Sequence, residues 1–145
     1  ARRRPDLGVI ALDQPEIVAL GGSDRVRWVA GDVRDAALED ALLVLACDLL
    51  HHLSLDDQHR VLERVRASVP DGGRVLVKEI RLDPDRRGPA CGVWFALDLA
   101  LYSPEGMLPD REQLRSMLSA AGFADLVVLV PATAPDSIVL VATAR

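Results

Sequence analysis

Acidic side chains follow two short apolar runs near the N-terminus of the 145-residue chain. Asp13 follows the run Gly8 to Leu12, and Asp32 follows the run Val26 to Ala30. If these runs are neighbouring parallel strands, both carboxylates lie at the carboxyl edge of the sheet, where open α/β sheets bind ligands. Carboxylates at that edge can accept hydrogen bonds from a ribose diol or a nucleobase amine. The alternative, that both residues only cap the turns that follow them, stays open.

Two adjacent histidines, His51 and His52, follow the apolar run Ala41 to Cys47. A histidine at the end of a strand can take up a proton near neutral pH and so act as a general base. Adjacent side chains point in different directions, so only one of the two can face a ligand. A structural histidine at the entry to the next helix is the alternative. No third ligand stands at metal-binding spacing, which predicts that there is no metal site.

The sequence gives little support for a covalent nucleophile. Ser54, Ser103 and Cys47 stand outside any G-x-S-x-G pattern and beside no evident base with an orienting acid, so a hydrolase is disfavoured. Asp56 and Asp57 follow Ser54 and are typical of the acidic first turn of a helix, where the helix dipole favours negative charge.

The elements that must position these side chains alternate along the chain. Short apolar runs predict strands at 8–12, 26–30, 41–47, 74–80, 124–130 and 137–143, and helical spacing predicts helices at 15–20, 54–69, 93–102 and 112–121. The third helix is expected to be buried, with Trp94, Phe95 and Tyr102 packed in the core; a helix that lines a pocket is the alternative. This order predicts one α/β domain over residues 1–145, whose sheet is mostly parallel and ends in a C-terminal antiparallel hairpin.

Composition excludes several classes of protein. The chain is 50% hydrophobic and 27% charged, which is typical of a globular domain with its own core. The formal net charge of −5 disfavours a nucleic-acid partner. No apolar run reaches the roughly 20 residues that a membrane helix needs. Cys47 and Cys91 form no paired motif, which favours reduced thiols and a cytoplasmic location.

Four segments, taken in order, resemble a known family: ALDQPEIV, VRWVAGDV, DLLHHLSLDDQHRVLERVRASVPDGGRVLVKEI and MLSAAGF. Together they are similar to the later part of class I S-adenosylmethionine-dependent methyltransferases, and within that class to the small-molecule O-methyltransferases. The resemblance runs from Gly8 to the C-terminus. It implies a Rossmann-like sheet and methyl transfer from S-adenosylmethionine to a hydroxyl of a small, secondary-metabolite-like acceptor.

The resemblance also implies a cofactor site. By position, Asp13 would hold the ribose hydroxyls, and Asp32 with Val33 would border the adenine. Gly31 and Cys47 are placed in the same cofactor site.

For the chemistry, the resemblance makes His51 the base and Glu79 the carboxylate that orients it. The chain departs from the family pattern at two places. His52 and Leu53 stand where the family has Asp-Trp, and Leu108 stands where a second supporting glutamate is expected.

A strand and a glycine-rich G-x-G-x-G turn precede this part of such enzymes and contact the methionine end of the cofactor, so the resemblance places them ahead of Ala1. In the family's strand order that strand lies between the first and third strands predicted here. Each buried backbone group left unpaired costs about 1–3 kcal/mol, so the chain alone is expected to be poorly stable.

The missing segment is expected either in a longer chain or in a partner chain, and a dimer or hetero-oligomer is expected. The alternative function is a noncatalytic methyltransferase-like subunit that stabilises a partner. A nicotinamide-dependent oxidoreductase is disfavoured because the sequence has no G-x-G-x-x-G.

Overall fold

The computed structural model describes residues 6–21, 23–103 and 105–145. The chain divides into two compact units, the first ending at Ala37 and the second spanning Leu38–Arg145. Ala1, ahead of which the glycine-rich turn is expected, lies outside the described residues. Among the helices that are described, none has the length and apolar character needed to cross a membrane.

The first unit is a strand, a short helix and a second strand. Strands β1 (Val9–Asp13) and β2 (Val26–Ala30) pair in parallel, with Asp13 opposite Ala30. Helix α1 (Pro15–Val18) begins at a proline, whose fixed φ suits the first helical turn. The helix is shorter than its predicted range of 15–20. Both strands were predicted, and their parallel pairing brings their carboxyl ends to one edge.

The second unit is built on a four-stranded sheet of order β3-β4-β6-β5. Strand β3 runs parallel to β4, and β6 runs antiparallel to both β4 and β5. The predicted C-terminal antiparallel hairpin is therefore confirmed, and this sheet is mixed. Its elements are β3 (Leu43–Cys47), α2 (Leu55–Ser68), β4 (Arg74–Ile80), α3 (Ala90–Tyr102), α4 (Arg111–Ala120), β5 (Phe123–Leu129) and β6 (Ser137–Ala144).

Two helices of this unit begin at side-chain caps. Ser54 caps α2 by accepting a hydrogen bond from the Asp57 N–H, as the sequence predicts. Asp110 caps α4 in a capping box, in which Gln113 returns a bond to the Asp110 N–H. These caps fix where α2 and α4 start, and both helices bury one apolar face. The core of the unit includes Val61, Leu62 and Val65 of α2, Val75 and Val77 of β4, Leu114, Met117 and Leu118 of α4, and Ile138 and Leu140 of β6.

Helix α3 is more exposed than the sequence predicts. Trp94 is 70% exposed and Tyr102 is 81% exposed, so the expectation that they pack in the core is wrong. The helix is apolar on nearly all sides, and only Gly92 and Leu99 are buried. Periodicity cannot choose which face of such a helix is covered.

The start of α3 lies close against the chain that follows β4. A Cβ added at Gly92 would collide with the carbonyl oxygen of Arg81, so only glycine permits this approach. The contact brings α3 near the carboxyl end of β4. Phe95 on the next turn is thereby placed next to the site described below.

Candidate active site

Strand β4 places a carboxylate in the core of the second unit. Its side chains alternate between buried and less buried positions, and Val75, Val77 and Glu79 share the buried face. Glu79 is completely buried, at 0% exposed. Burial of a carboxyl group is costly unless the group is hydrogen-bonded. The partners of Glu79 therefore decide what this residue does.

Two backbone amides and one histidine satisfy this carboxylate. Glu79 Oε1 accepts hydrogen bonds from the N–H of Leu49 at 3.1 Å and of Leu50 at 2.7 Å. The chain turns at Asp48, whose φ of 51° lies in the left-handed region. Beyond that turn the chain enters a 3₁₀ turn, Leu50–His52, which carries the histidine.

The third partner is His51, whose Nδ1 lies 2.6 Å from Glu79 Oε2. An ionised carboxylate only accepts hydrogen bonds, so Nδ1 is the nitrogen that donates to Glu79, and in the neutral imidazole Nε2 is then the nitrogen with the lone pair. This is the arrangement in which a neutral imidazole can act as a base and its charged form is stabilised by the carboxylate. The structure thus brings His51 and Glu79 together, as the sequence resemblance implied.

The surroundings of the two histidines differ. The His51 side chain is 5% exposed, and its ring packs edge-on against Phe95, with centroids 4.9 Å apart. His52 is exposed, and its ring lies 4.1 Å from that of His51. Partial desolvation lowers the pKa of His52, and the neighbouring His51 lowers this pKa further. His51 is therefore the histidine with an orienting partner and shielding from bulk water.

Leu108, where the resemblance expects a second glutamate, is buried in an apolar cluster with Leu82 and Leu99. Phe95 packs against the same cluster. Among the described residues, Glu79 is the carboxylate that is hydrogen-bonded to His51. The histidine thus has one orienting acid and an apolar surface nearby.

The structure also reveals a group that the sequence analysis missed. Asp48, His51 and Glu79 each offer a potential metal ligand atom within 4.8 Å of the others. However, the Lys78 ammonium lies 2.6 and 2.7 Å from the two Asp48 oxygens, and Glu79 already holds its three donors. A cation would have to displace these partners, so the group is better suited to an internal hydrogen-bond network than to a metal. One feature of the sequence points to this network: Lys78, which pairs with Asp48, is the one lysine of the chain and directly precedes Glu79.

Asp13 and Gly31 lie together at one edge of the first unit. The Gly31 N–H donates to the Asp13 carbonyl at 3.0 Å, which continues the β1–β2 ladder. Asp13 Oδ1 accepts from the Gln14 N–H at 2.8 Å. A Cβ on Gly31 would lie 2.8 Å from the Ala36 Cβ, so the turn after β2 requires a small residue. Asp13 does support its following turn, which was the alternative considered from the sequence.

Asp32 also supports its own turn, through Arg34. Its Oδ1 accepts from the Arg34 N–H at 2.9 Å, and its Oδ2 lies 2.6 Å from Arg34 Nη2. The Arg34 side chain and N–H, as hydrogen-bond donors, lower the pKa of Asp32 to about 2. Asp32 is therefore ionised throughout the physiological range, with Val33 beside it in the same turn.

Cys47 ends β3 in the second unit and is a free, exposed cysteine. Partial desolvation raises the pKa of its thiol, and the nearby Asp48 carboxylate raises this pKa further. A protonated thiol is a poor nucleophile, which agrees with the lack of a nucleophile pattern in the sequence. The residues expected at the cofactor thus fall in both units, with Asp13, Gly31, Asp32 and Val33 in the first and Cys47 in the second.

Comparison with known proteins gives the family. Residues 3–124 match the O-methyltransferase domain family. The tetracenomycin polyketide synthesis 8-O-methyl transferase TcmO of Streptomyces glaucescens is 29% identical over 147 residues, covering 96% of this chain and 43% of the relative. Acetylserotonin O-methyltransferase of Bos taurus is 30% identical over 129 residues, covering 84% of this chain and 37% of the relative.

Solved structures agree with the sequence comparison. Human N-acetylserotonin methyltransferase in complex with SAM superposes with a TM-score of 0.86 at 26% identity, covering 99% of this chain and 42% of that one. The chain thus spans less than half the length of the relatives that it matches. By its sequence match over residues 3–124, the chain belongs to the O-methyltransferase domain family.

Proposed function

We propose that this chain is the C-terminal part of a single methyltransferase catalytic domain, which transfers a methyl group from S-adenosylmethionine to a hydroxyl of a small-molecule acceptor. The observation that carries the proposal is the buried His51–Glu79 pair, with Nδ1 and Oε2 2.6 Å apart. Family membership supports it. One relative is named for O-methylation in polyketide synthesis, which favours an aromatic or polyketide-like acceptor.

In this proposal, the residues of this chain remove one proton from the acceptor. His51 Nε2 takes the proton of the acceptor hydroxyl, and Glu79 stabilises the imidazolium that forms. The amides of Leu49 and Leu50 hold Glu79 in place. When bound, S-adenosylmethionine would supply an electrophilic sulfonium methyl group; transfer of this group to the acceptor oxygen breaks the S–CH₃ bond and leaves S-adenosylhomocysteine, and holding the two reactants close together would be the main source of rate.

The hydrogen-bond acceptors of the first unit suit the nucleoside part of that cofactor. Asp13 and Asp32 follow the ends of two paired parallel strands. Each carboxylate has acceptor capacity beyond the turn contacts described above, which suits a ribose diol at Asp13 and an adenine amine at Asp32. Gly31, Val33 and Cys47 would line the same cofactor. A cytoplasmic location remains a prediction from the free cysteines.

The cofactor assignment predicts a difference between two aspartates. In the complete protein, Asp13→Ala should weaken S-adenosylmethionine binding by roughly 10–150-fold, because a charge-assisted hydrogen bond is worth about 1.5–3 kcal/mol. Asp57→Ala is the control, since Asp57 lies in the first turn of α2, where its contact with the helix dipole is worth about 0.3–1 kcal/mol. Isothermal titration calorimetry measures both. Equal affinities for the two variants would remove Asp13 from the cofactor site.

The proposal includes a further segment with a glycine-rich turn, supplied in the same chain or by a partner chain. In the second unit β3 lies at an edge of its sheet and, among the described strands, pairs with β4 alone; Leu43 and Leu45 on β3 are 53% and 60% exposed. An unpaired edge with exposed apolar side chains is a site for strand pairing. We propose that the segment pairs with this edge.

The 145-residue chain alone is therefore expected to unfold without a cooperative transition and to bind S-adenosylmethionine too weakly to measure. Addition of the preceding segment, fused or as a separate chain, should restore both properties, because it supplies backbone partners and the cofactor loop. Differential scanning calorimetry and titration of the cofactor test this. A cooperative transition together with micromolar binding by the chain alone would contradict the need for the segment.

A noncatalytic subunit is the second candidate function. Leu108, buried among apolar side chains, is the observation that favours it, because the family pattern expects a carboxylate there. Binding of the cofactor without methyl transfer to any acceptor would support this candidate.

A further inference from the structure

A buried amide, Gln58, lies on α2 close to the turn that carries His51. Its side chain is 0% exposed, among the apolar residues of the core. Nε2 donates to two backbone carbonyls, that of Leu53 at 3.1 Å and that of Met107 at 2.7 Å. Within the described part of the chain, Oε1 is buried and has no hydrogen-bond partner. A buried oxygen without a partner is costly. The presence of an amide at this place therefore calls for an explanation, and the two bonds made by Nε2 are the place to look for it.

The two carbonyls belong to the two segments that enclose His51. Leu53 directly follows the 3₁₀ turn and caps it, since its N–H donates back to the Leu50 carbonyl at 2.9 Å. Met107 lies between α3 and α4. Next to it, a Cβ added at Gly106 would lie 2.8 Å from the His51 carbonyl oxygen, so this segment rests directly on the histidine backbone. Gln58 thus ties both segments to α2 at one point.

The His51 ring and the His51 backbone are therefore fixed by different residues. Glu79 fixes the ring through Nδ1. The Gln58 amide fixes the backbone, because it holds the turn on one side and the Gly106 segment on the other. A base must be held within about 0.5 Å of its productive position. An apolar side chain of the same size would fill the space but would remove the donor that Gln58 gives to both carbonyls.

We propose that Gln58 is a positioning residue, which holds the His51 turn against the segment after α3 during the methyl transfer; this inference rests on the function proposed above. The amide acts through His51 and has no contact with substrate. Its role is to keep Nε2 of the imidazole aimed at the acceptor hydroxyl.

The test uses Gln58→Met in the complete protein, since methionine keeps the length of the side chain and removes the donors. We expect kcat to fall by about 10–100-fold, as a misplaced catalytic group does, with the dissociation constant for S-adenosylmethionine unchanged. Val61→Ala is the control. Val61 lies on the same helix, is 1% exposed, and makes a cavity when truncated. It should lower Tm and leave kcat unchanged.

A second measurement is independent of turnover. The ¹⁵N shifts of the His51 ring nitrogens, assigned with His51→Gln, should change in Gln58→Met and stay unchanged in Val61→Ala. Unchanged shifts in Gln58→Met, or a kcat that follows the folded fraction equally in both variants, would overturn the positioning role. If the wild-type protein transfers no methyl group at all, the proposed function fails, and the ring-nitrogen shifts still decide the role of Gln58.

Discussion

Replacement of His51 by alanine in the complete protein is expected to lower turnover by about 10²–10⁴-fold, while the affinity for S-adenosylmethionine stays nearly unchanged. The imidazole is held by Glu79 with Nε2 left as the acceptor, so its loss removes the base and leaves the proposed nucleoside contacts intact. Steady-state kinetics with one acceptor, together with a cofactor titration, measures both effects.

His52→Ala is the matched control for this experiment. His52 is the adjacent residue, it is exposed, and it makes ring contact with His51 but is not hydrogen-bonded to Glu79 in the described structure. Its truncation should cost far less turnover. If turnover survives the His51 change, the reaction proceeds by proximity alone and His51 is a structural histidine.

Glu79→Gln should lower kcat by a similar factor of about 10²–10⁴ with little loss of stability. The glutamine carbonyl can still accept from the amides of Leu49 and Leu50, but its NH₂ group would then face His51 Nδ1. A donor at that place forces the proton onto Nε2, which can no longer accept one. Glu79→Ala, in contrast, should cost about 3–5 kcal/mol of stability, because it leaves the buried partners without an acceptor.

Glu112→Gln provides the control for the loss of a carboxylate charge, since Glu112 is 57% exposed and pairs on the surface with Arg111. It should leave both kcat and the free energy of unfolding nearly unchanged. Urea unfolding and kinetics on the three variants separate the effects. A Glu79→Gln variant with the turnover of the wild type would show that the tautomer of His51 is not set by this carboxylate.

The sequence predicted elements whose signals are local. β2 and β4 have their predicted ranges, and the Ser54 cap follows from a hydroxyl placed before an acidic turn. Helix α3 was predicted at 93–102, and in the structure it begins earlier, at Ala90. Its exposure was not predicted, because an apolar helix gives no indication of which face finds a partner. Burial of that kind depends on tertiary contacts, which no local pattern records.

The candidate site also combines features that the sequence predicts with features that only tertiary contacts determine. The resemblance singled out His51 and Glu79, which lie 28 residues apart in the chain and are hydrogen-bonded in the structure. The two backbone amides that donate to Glu79 and the two backbone carbonyls that accept from Gln58 could not be predicted, because backbone donors and acceptors carry no residue-type signal. At Asp32 the sequence left turn capping and ligand binding open. The structure shows the turn contacts with Arg34, and the cofactor contact stays a proposal.

The most direct test of the account is a transfer assay with methyl-labelled S-adenosylmethionine, the complete protein and a panel of phenolic acceptors. The account predicts that label is recovered as an O-methyl ether, and that His51→Ala abolishes most of the transfer while the cofactor still binds. Tight cofactor binding without transfer to any acceptor would contradict it, and would favour the noncatalytic subunit. Label found only on nitrogen or carbon would contradict the hydroxyl acceptor.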